Sequence, residues 1–110
     1  MIIKNISQGT TISNNAKQLT SFSDRLLGLL NPKNPHFLLI DTRFGIHTFF
    51  IKMPIDLIIL DKDQKIVQLV ENLSPNKFFF YNPKYKTVIE MPMNTIEKHG
   101  LKERDEISYK

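Results

Sequence analysis

Gly45-Ile46-His47-Thr48-Phe49-Phe50-Ile51-Lys52-Met53-Pro54-Ile55-Asp56-Leu57-Ile58-Ile59-Leu60-Asp61 decides the fold, because two apolar, strand-like runs stand on either side of a single Met-Pro break. β-Branched and aromatic residues dominate both runs, which is the composition of half-buried or buried strands. Three polar side chains, His47, Lys52 and Asp56, interrupt them. A polar group inside an apolar run is costly unless it is paired, so this cluster is either a satisfied structural network or a site.

Outward from this centre the chain continues mostly as β. Residues 56–60 and 66–70 flank Asp61-Lys62-Asp63-Gln64, a polar connection suited to a hairpin. Residues 72–83 carry two prolines and read as a loop that holds the aromatic run Phe78-Phe79-Phe80-Tyr81. Residues 87–91 and 107–109 read as strands. Between them Pro92 is expected to open a short helix over 92–99, stopped by Gly100, with Lys98 and His99 placed where the helix dipole favours cations.

Upstream, residues 37–40 and 46–51 read as strands. The chain begins as a hairpin, with Ile2, Ile3 and Ile6 before the turn-prone Ser7-Gln8-Gly9-Thr10, and Thr11-Ile12-Ser13 after it. Residues 16–19 form a further extended piece. Ser21-Phe22-Ser23-Asp24 reads as a capping box for a helix over about 22–30. That helix would place Phe22, Leu26, Leu29 and Leu30 on one face and Arg25 on its flank, and it would end before Asn31-Pro32. The expected class is mainly β (a β-rich α+β chain): a single compact β-sandwich or barrel-like domain spanning 1–110 with two short helices.

Composition narrows the functional classes. A chain of 110 residues forms one domain with a modest core, and the absence of cysteine excludes disulfides and thiolate metal sites. No apolar run reaches the roughly 18 residues needed to span a bilayer. Met1-Ile2-Ile3-Lys4-Asn5 lacks the basic head and long apolar core of a secretory leader, so a cytoplasmic location is the expectation, a removed leader aside. The net charge of +4 is mild and its cations are interleaved with acids. Such a spread points to a solvated surface and argues against nucleic acid as partner, which wants a denser basic stripe and a recognisable reading motif.

Three blocks of this sequence carry a family resemblance. Arg25-Leu26-Leu27-Gly28-Leu29-Leu30, the run Ile46-His47-Thr48-Phe49-Phe50-Ile51 with Pro54-Ile55-Asp56 and Leu60-Asp61, and Val88-Ile89-Glu90-Met91-Pro92 match in order and spacing over about 16–107. Together they resemble DUF192, a bacterial and archaeal family of unknown function. The resemblance implies a compact β-rich domain, and no known substrate or cofactor. Two positions depart from the family pattern. Ile51 replaces a common methionine, a volume-conserving change that speaks for packing. Asn94 stands where the family usually has glycine, and asparagine tolerates the left-handed backbone better than other side chains.

Each candidate site residue has a structural alternative. His47 is either a hydrogen-bonded structural histidine or a ligand-binding or acid–base group. Asp56, if buried, needs a cation, which Arg25 or Lys52 could supply. Glu90 shares a strand face with Val88 and is the other candidate partner for Arg25. No histidine pair has ligand spacing and Asp61-Lys62-Asp63 lacks the rest of a calcium loop, so neither a metal nor another cofactor is expected. No nucleophile elbow or phosphate-cradling loop is present.

Four consecutive aromatics, Phe78, Phe79, Phe80 and Tyr81, cannot all point inward in extended chain, so part of the run either plugs the β core or contacts a partner. Lys77, Lys84, Tyr85 and Lys86 flank the run, a composition compatible with an acidic ligand or single-stranded nucleic acid but too short to specify either. The function read from the sequence is therefore a small non-enzymatic domain that binds a small molecule or a protein. Its groove would lie near His47, Lys52 and Asp56, and its contact loop at 78–81. The alternative is a small enzyme, such as a hydrolase, using His47 and Asp56 with Arg25 or Lys52. The sequence leaves the ligand and the oligomeric state open.

Overall fold

The computed structural model describes residues 1–19, 37–43, 45–48 and 53–110. The expected helix over 22–30, including Arg25, lies outside the described residues, as does Lys52.

A five-stranded sheet forms the centre. Its strands are β3 (Lys17–Leu19), β4 (Leu38–Asp41), β6 (Ile55–Leu60), β7 (Ile66–Leu73) and β9 (Thr87–Pro92), in the order β3-β4-β9-β6-β7. Among the described strands only the β3–β4 pair is parallel. Strands β6 and β9 are buried on both faces, which is why Ile55-Asp56-Leu57-Ile58-Ile59-Leu60 and Val88-Ile89-Glu90-Met91 show almost no polar alternation. Asp61 shapes the β6–β7 hairpin. Its Oδ1 accepts the backbone N–H groups of Asp63 and Lys65, each at 2.9 Å, and Gln64 takes a left-handed conformation at φ 63°.

The register of this sheet assigns its two faces. Leu39, Ile58 and Ile89 stand in one row, and Met91 and Leu60 share their face. Across from that face lies a second sheet of β1 (Ile3–Asn5), β2 (Thr10–Ser13) and β10 (Ile107–Tyr109), ordered β10-β1-β2. Ile3, Ile12 and Ile107 from this sheet pack with Leu39, Ile58, Leu60, Ile89 and Met91 in one core. The opposite face presents Leu57, Ile59 and Val88. It is covered by Ile46, Tyr81, Phe79 and Tyr85, which belong to or adjoin a two-stranded ribbon of β5 (Ile46–His47) and β8 (Phe78–Phe79).

Several expectations hold in outline and change in detail. The chain is β-rich and the first hairpin, the 16–19 piece and the later strands form where the β-branched runs stand. The sheets remain open, so the barrel-like alternative is corrected: β3 and β7 end the central sheet without pairing to each other. Only one helix occurs among the described residues, α1 (Thr95–His99), and it is shorter than the expected 92–99. Pro92 does not open it. Pro92 instead ends β9 opposite Ile55, and the left-handed Asn94 (φ 73°, ψ 6°) turns the chain into the helix. Gly100 closes it in the left-handed region at φ 58°, with its N–H donating to the Glu97 carbonyl. The 72–83 loop is shorter than expected at its start, because β7 runs to Leu73, and it contains β8. No helix among the described residues is long and apolar enough to cross a membrane.

Candidate functional site

Asp56 is fully buried and sits on β6 opposite Met91, on the face shared with Ile58 and Ile89. The β6–β7 register slips here: Ile55 pairs with Leu73 and Leu57 with Val70, so Asp56 faces both Glu71 and Asn72. Asn72 is left-handed at φ 55°, which marks a β-bulge. The Asp56 carboxylate takes up the bulge directly, its Oδ1 accepting the Asn72 N–H at 3.0 Å. Its other oxygen, Oδ2, accepts the N–H of Ile96 in the first turn of α1, also at 3.0 Å. The side chain of Asn94, at the N-cap position, makes no such bond. A strand carboxylate thus does the capping that the local sequence leaves undone.

Glu90 is also buried, but on the other face, in the row of Leu38 and Leu57. His47 lies on that second side too, half-buried on β5, next to Ile46 of the Leu57–Ile59–Val88 core. The sheet therefore separates the two described members of the expected His47–Lys52–Asp56 cluster. They do not converge on one groove, and the candidate carboxylates Asp56 and Glu90 stand on opposite faces. Among the described residues there is no group of three or more His, Asp or Glu that could hold a metal ion.

What the structure does bring together is the β5–β8 ribbon. Ile46 pairs with Phe79 and His47 with Phe78. Strand alternation then sorts the aromatic run as two residues in and two out. Phe79 and Tyr81 turn inward onto Ile46 and Val88, with ring centroids 6.4 Å apart. The Tyr81 hydroxyl donates to the Thr42 carbonyl, tying the two segments together. Phe78 and Phe80 point outward, 62% and 72% exposed, and their rings lie 5.9 Å apart and 11° from parallel. His47 meets Phe78 edge to face at 6.5 Å and 77°.

Two small residues fix this geometry. Gly45 (φ 135°) runs so close to β8 that a Cβ placed there would meet the Phe79 carbonyl oxygen at 2.4 Å and the Phe80 ring at 3.1 Å. Thr48 is fully buried and clamps the 74–77 turn: its hydroxyl donates to the Ser74 carbonyl at 2.7 Å and accepts the Lys77 N–H at 2.8 Å. Neither residue carries a chemical signal in the sequence, since isolated glycines and threonines are common. Only the pairing of β5 with β8 shows what they do.

Charge is the other feature that the fold gathers. Fifteen Lys and Arg face eleven Asp and Glu across the chain. The segments 42–48 and 74–86 hold Arg43, Lys77, Lys84 and Lys86 and no acid, so the remainder carries eleven of each and is neutral. All four cations are exposed. Arg43 donates to the carbonyls of Pro83 and Lys84 at 3.2 and 3.3 Å, and the Lys84 ammonium stands 5.8 Å from the Tyr85 ring centroid. The entire net charge of +4 belongs to the segments that form and flank the aromatic ribbon.

The family pattern of DUF192, described as "Uncharacterized ACR, COG1430", matches residues 4–109. A UPF0127 protein of Thermococcus sibiricus is 29% identical over 112 residues, covering 96% of this chain and 72% of that one. Two crystal structures share the fold. One, a Sinorhizobium meliloti protein described as a putative transcription regulator, superposes with a TM-score of 0.73 at 19% identity, covering 97% of this chain and 89% of the other. The second, a protein of unknown function from Novosphingobium aromaticivorans, gives 0.76 at 12% identity and covers 98% and 82%. At these identities the likeness speaks for the fold alone.

Proposed function

The chain belongs to the DUF192 family, whose function is uncharacterised, and on that premise we propose that it is a non-enzymatic binding domain whose contact surface is the β5–β8 ribbon. The observation that carries this reading is the outward pair Phe78 and Phe80, mostly exposed and stacked on each other, on a strand whose alternate residues are anchored in the core. Exposed aromatic surface costs solubility, and rings already stacked on each other beside the anchored Phe79 and Tyr81 lose less entropy when covered. The enzyme alternative has less behind it, because Asp56 spends its carboxylate on two backbone amides and lies across the sheet from His47.

The test is site-specific photo-crosslinking in the native host. A benzophenone side chain at position 80 should give a defined adduct, of whatever class, that disappears when Phe78 is also changed to Ser. The same group at exposed Lys62, on the β6–β7 turn, should not give it. Equal crosslinking at 62 and 80, or persistence in the Phe78→Ser background, removes the ribbon as the contact surface.

A further inference from the structure

Phe78 and Phe80 stand among chemically distinct groups of the ribbon. Lys77 precedes Phe78, which pairs with His47 on the facing strand. Phe80 follows, its ring beside Gly45, where no side chain intervenes. Two residues before Gly45 stands Arg43, bonded to the carbonyls of Pro83 and Lys84. Exposed cations thus flank the two parallel, exposed rings along the chain, Lys77 before them and Lys84, with Arg43 bonded beside it, after them.

We propose that this ribbon binds single-stranded nucleic acid, with bases stacking on Phe78 and Phe80 and phosphates meeting Lys77, Arg43 and Lys84. Every base has a π-face, so aromatic platforms beside basic residues hold single strands with little sequence preference. Two chemical facts favour this ligand. A single strand repeats both a flat ring and a negative charge, and the ribbon offers exposed rings with exposed cations on the flanking residues. The rings are 11° from parallel, the orientation that neighbouring bases of a strand keep towards each other. Charge complementarity is supplied by the local concentration of the whole net charge of +4 on segments 42–48 and 74–86. Lys77, Lys84 and Lys86 already flank the aromatic run in the sequence, and the fold adds Arg43 to them. An anionic membrane would engage the same Phe and Lys residues, but it gains nothing from parallel rings, which a stack of bases matches.

This inference rests on the ribbon being the contact surface. Its test is fluorescence anisotropy of a labelled oligothymidylate of about ten nucleotides, a length within the usual single-strand site range, with the whole chain at low and moderate salt. Saturable binding is expected, weakened about tenfold or more by Phe78→Ser with Phe80→Ser. Arg43→Gln with Lys77→Gln and Lys84→Gln should weaken it and flatten the salt dependence, by about 0.7 in logarithmic slope for each phosphate no longer neutralised. Thermal melting of each variant shows that it folds. Flotation with phosphatidylcholine–phosphatidylserine vesicles is expected to leave the protein in solution. Absence of oligonucleotide binding, binding indifferent to the Phe variants, or vesicle binding in place of it overturns the proposal. If position 80 still crosslinks specifically when the oligonucleotide fails, the ligand class is wrong and the contact surface stands; if both fail, both readings fall.

Discussion

Asp56 Oδ2 and the backbone N–H of Ile96 stand 3.0 Å apart, forty residues apart in sequence, and this bond couples the central sheet to the first turn of α1. The other carboxylate oxygen holds the Asn72 bulge, so one buried side chain satisfies two backbone donors on two elements. Asp56→Asn keeps the volume but turns one acceptor into a donor facing an N–H. A loss of about 3 kcal/mol is expected, from a charge-assisted bond removed and a buried donor left unmade. Urea unfolding measures it; a loss below about 1 kcal/mol would show that the carboxylate is not what fixes these amides.

That bond also marks the limit of what can be read from the sequence. The strands are legible because β-branched runs such as Ile55-Asp56-Leu57-Ile58-Ile59-Leu60 leave few alternatives. That Phe78 to Tyr81 cannot all turn inward follows from strand alternation alone. Asp56 is recognisable as a carboxylate in want of a partner if buried, yet its described partners are backbone N–H groups, which no composition rule reveals. Pro92 carries a genuine helix-start signal. It is overridden because β9 pairs with β6 as far as Ile55, and the turn is made by Asn94 instead. Lys77, Lys84 and Lys86 flank the aromatic run in the sequence itself, whereas the arrival of Arg43 beside them depends on long-range contacts and has no local signature.

Gly45 tests the closeness of the two ribbon strands. In Gly45→Ala the new methyl would overlap the Phe79 carbonyl oxygen, at a backbone φ of 135° that side chains rarely adopt. The cost is expected to be on the order of 1–3 kcal/mol and to fall on the ribbon. Hydrogen exchange should accelerate at residues 46–48 and 77–79 while the amides of β6 and β9 keep their protection. Unchanged exchange in the ribbon would mean that β5 and β8 need not approach so closely.

The aromatic run should divide by position. Phe78→Ser and Phe80→Ser remove exposed rings and are expected to change stability by no more than about 0.5 kcal/mol each. Phe79→Ala empties space against Ile46 and Val88, and a loss of about 2–4 kcal/mol is expected for this partly buried ring. Comparison of the three denaturation midpoints decides it. Equal losses at all three positions would contradict the alternation seen in β8.

His99, at the last turn of α1, gives a pH dependence of defined sign. Burial, and then the neighbouring Lys98 charge, lower its pKa from the ordinary 6.5. The unfolded chain therefore binds this proton more readily than the folded one. The stabilising contribution is present above 6.5 and is lost as pH falls through 6.5 towards the lower folded value. His99→Gln should abolish this component. Urea midpoints on either side of that window check it: a stability that rises on acidification and is flattened by the variant would reverse the assignment.

Asn94 enters α1 with a left-handed backbone, at φ 73° and ψ 6°. Its side chain makes no capping bond to the helix, and Asp56 takes the Ile96 N–H. What the position requires is thus tolerance of that conformation, and asparagine meets the requirement almost as well as glycine. Asn94→Gly should leave stability within about 0.5 kcal/mol, relief of the left-handed strain being offset by the greater freedom of the unfolded chain. Asn94→Ala should cost about 1–2 kcal/mol, the penalty of placing a Cβ without compensating polarity in that region. If alanine were as stable as asparagine and glycine, the turn between β9 and α1 would have to relax out of the left-handed region, and Asp56 would then lose its hold on Ile96.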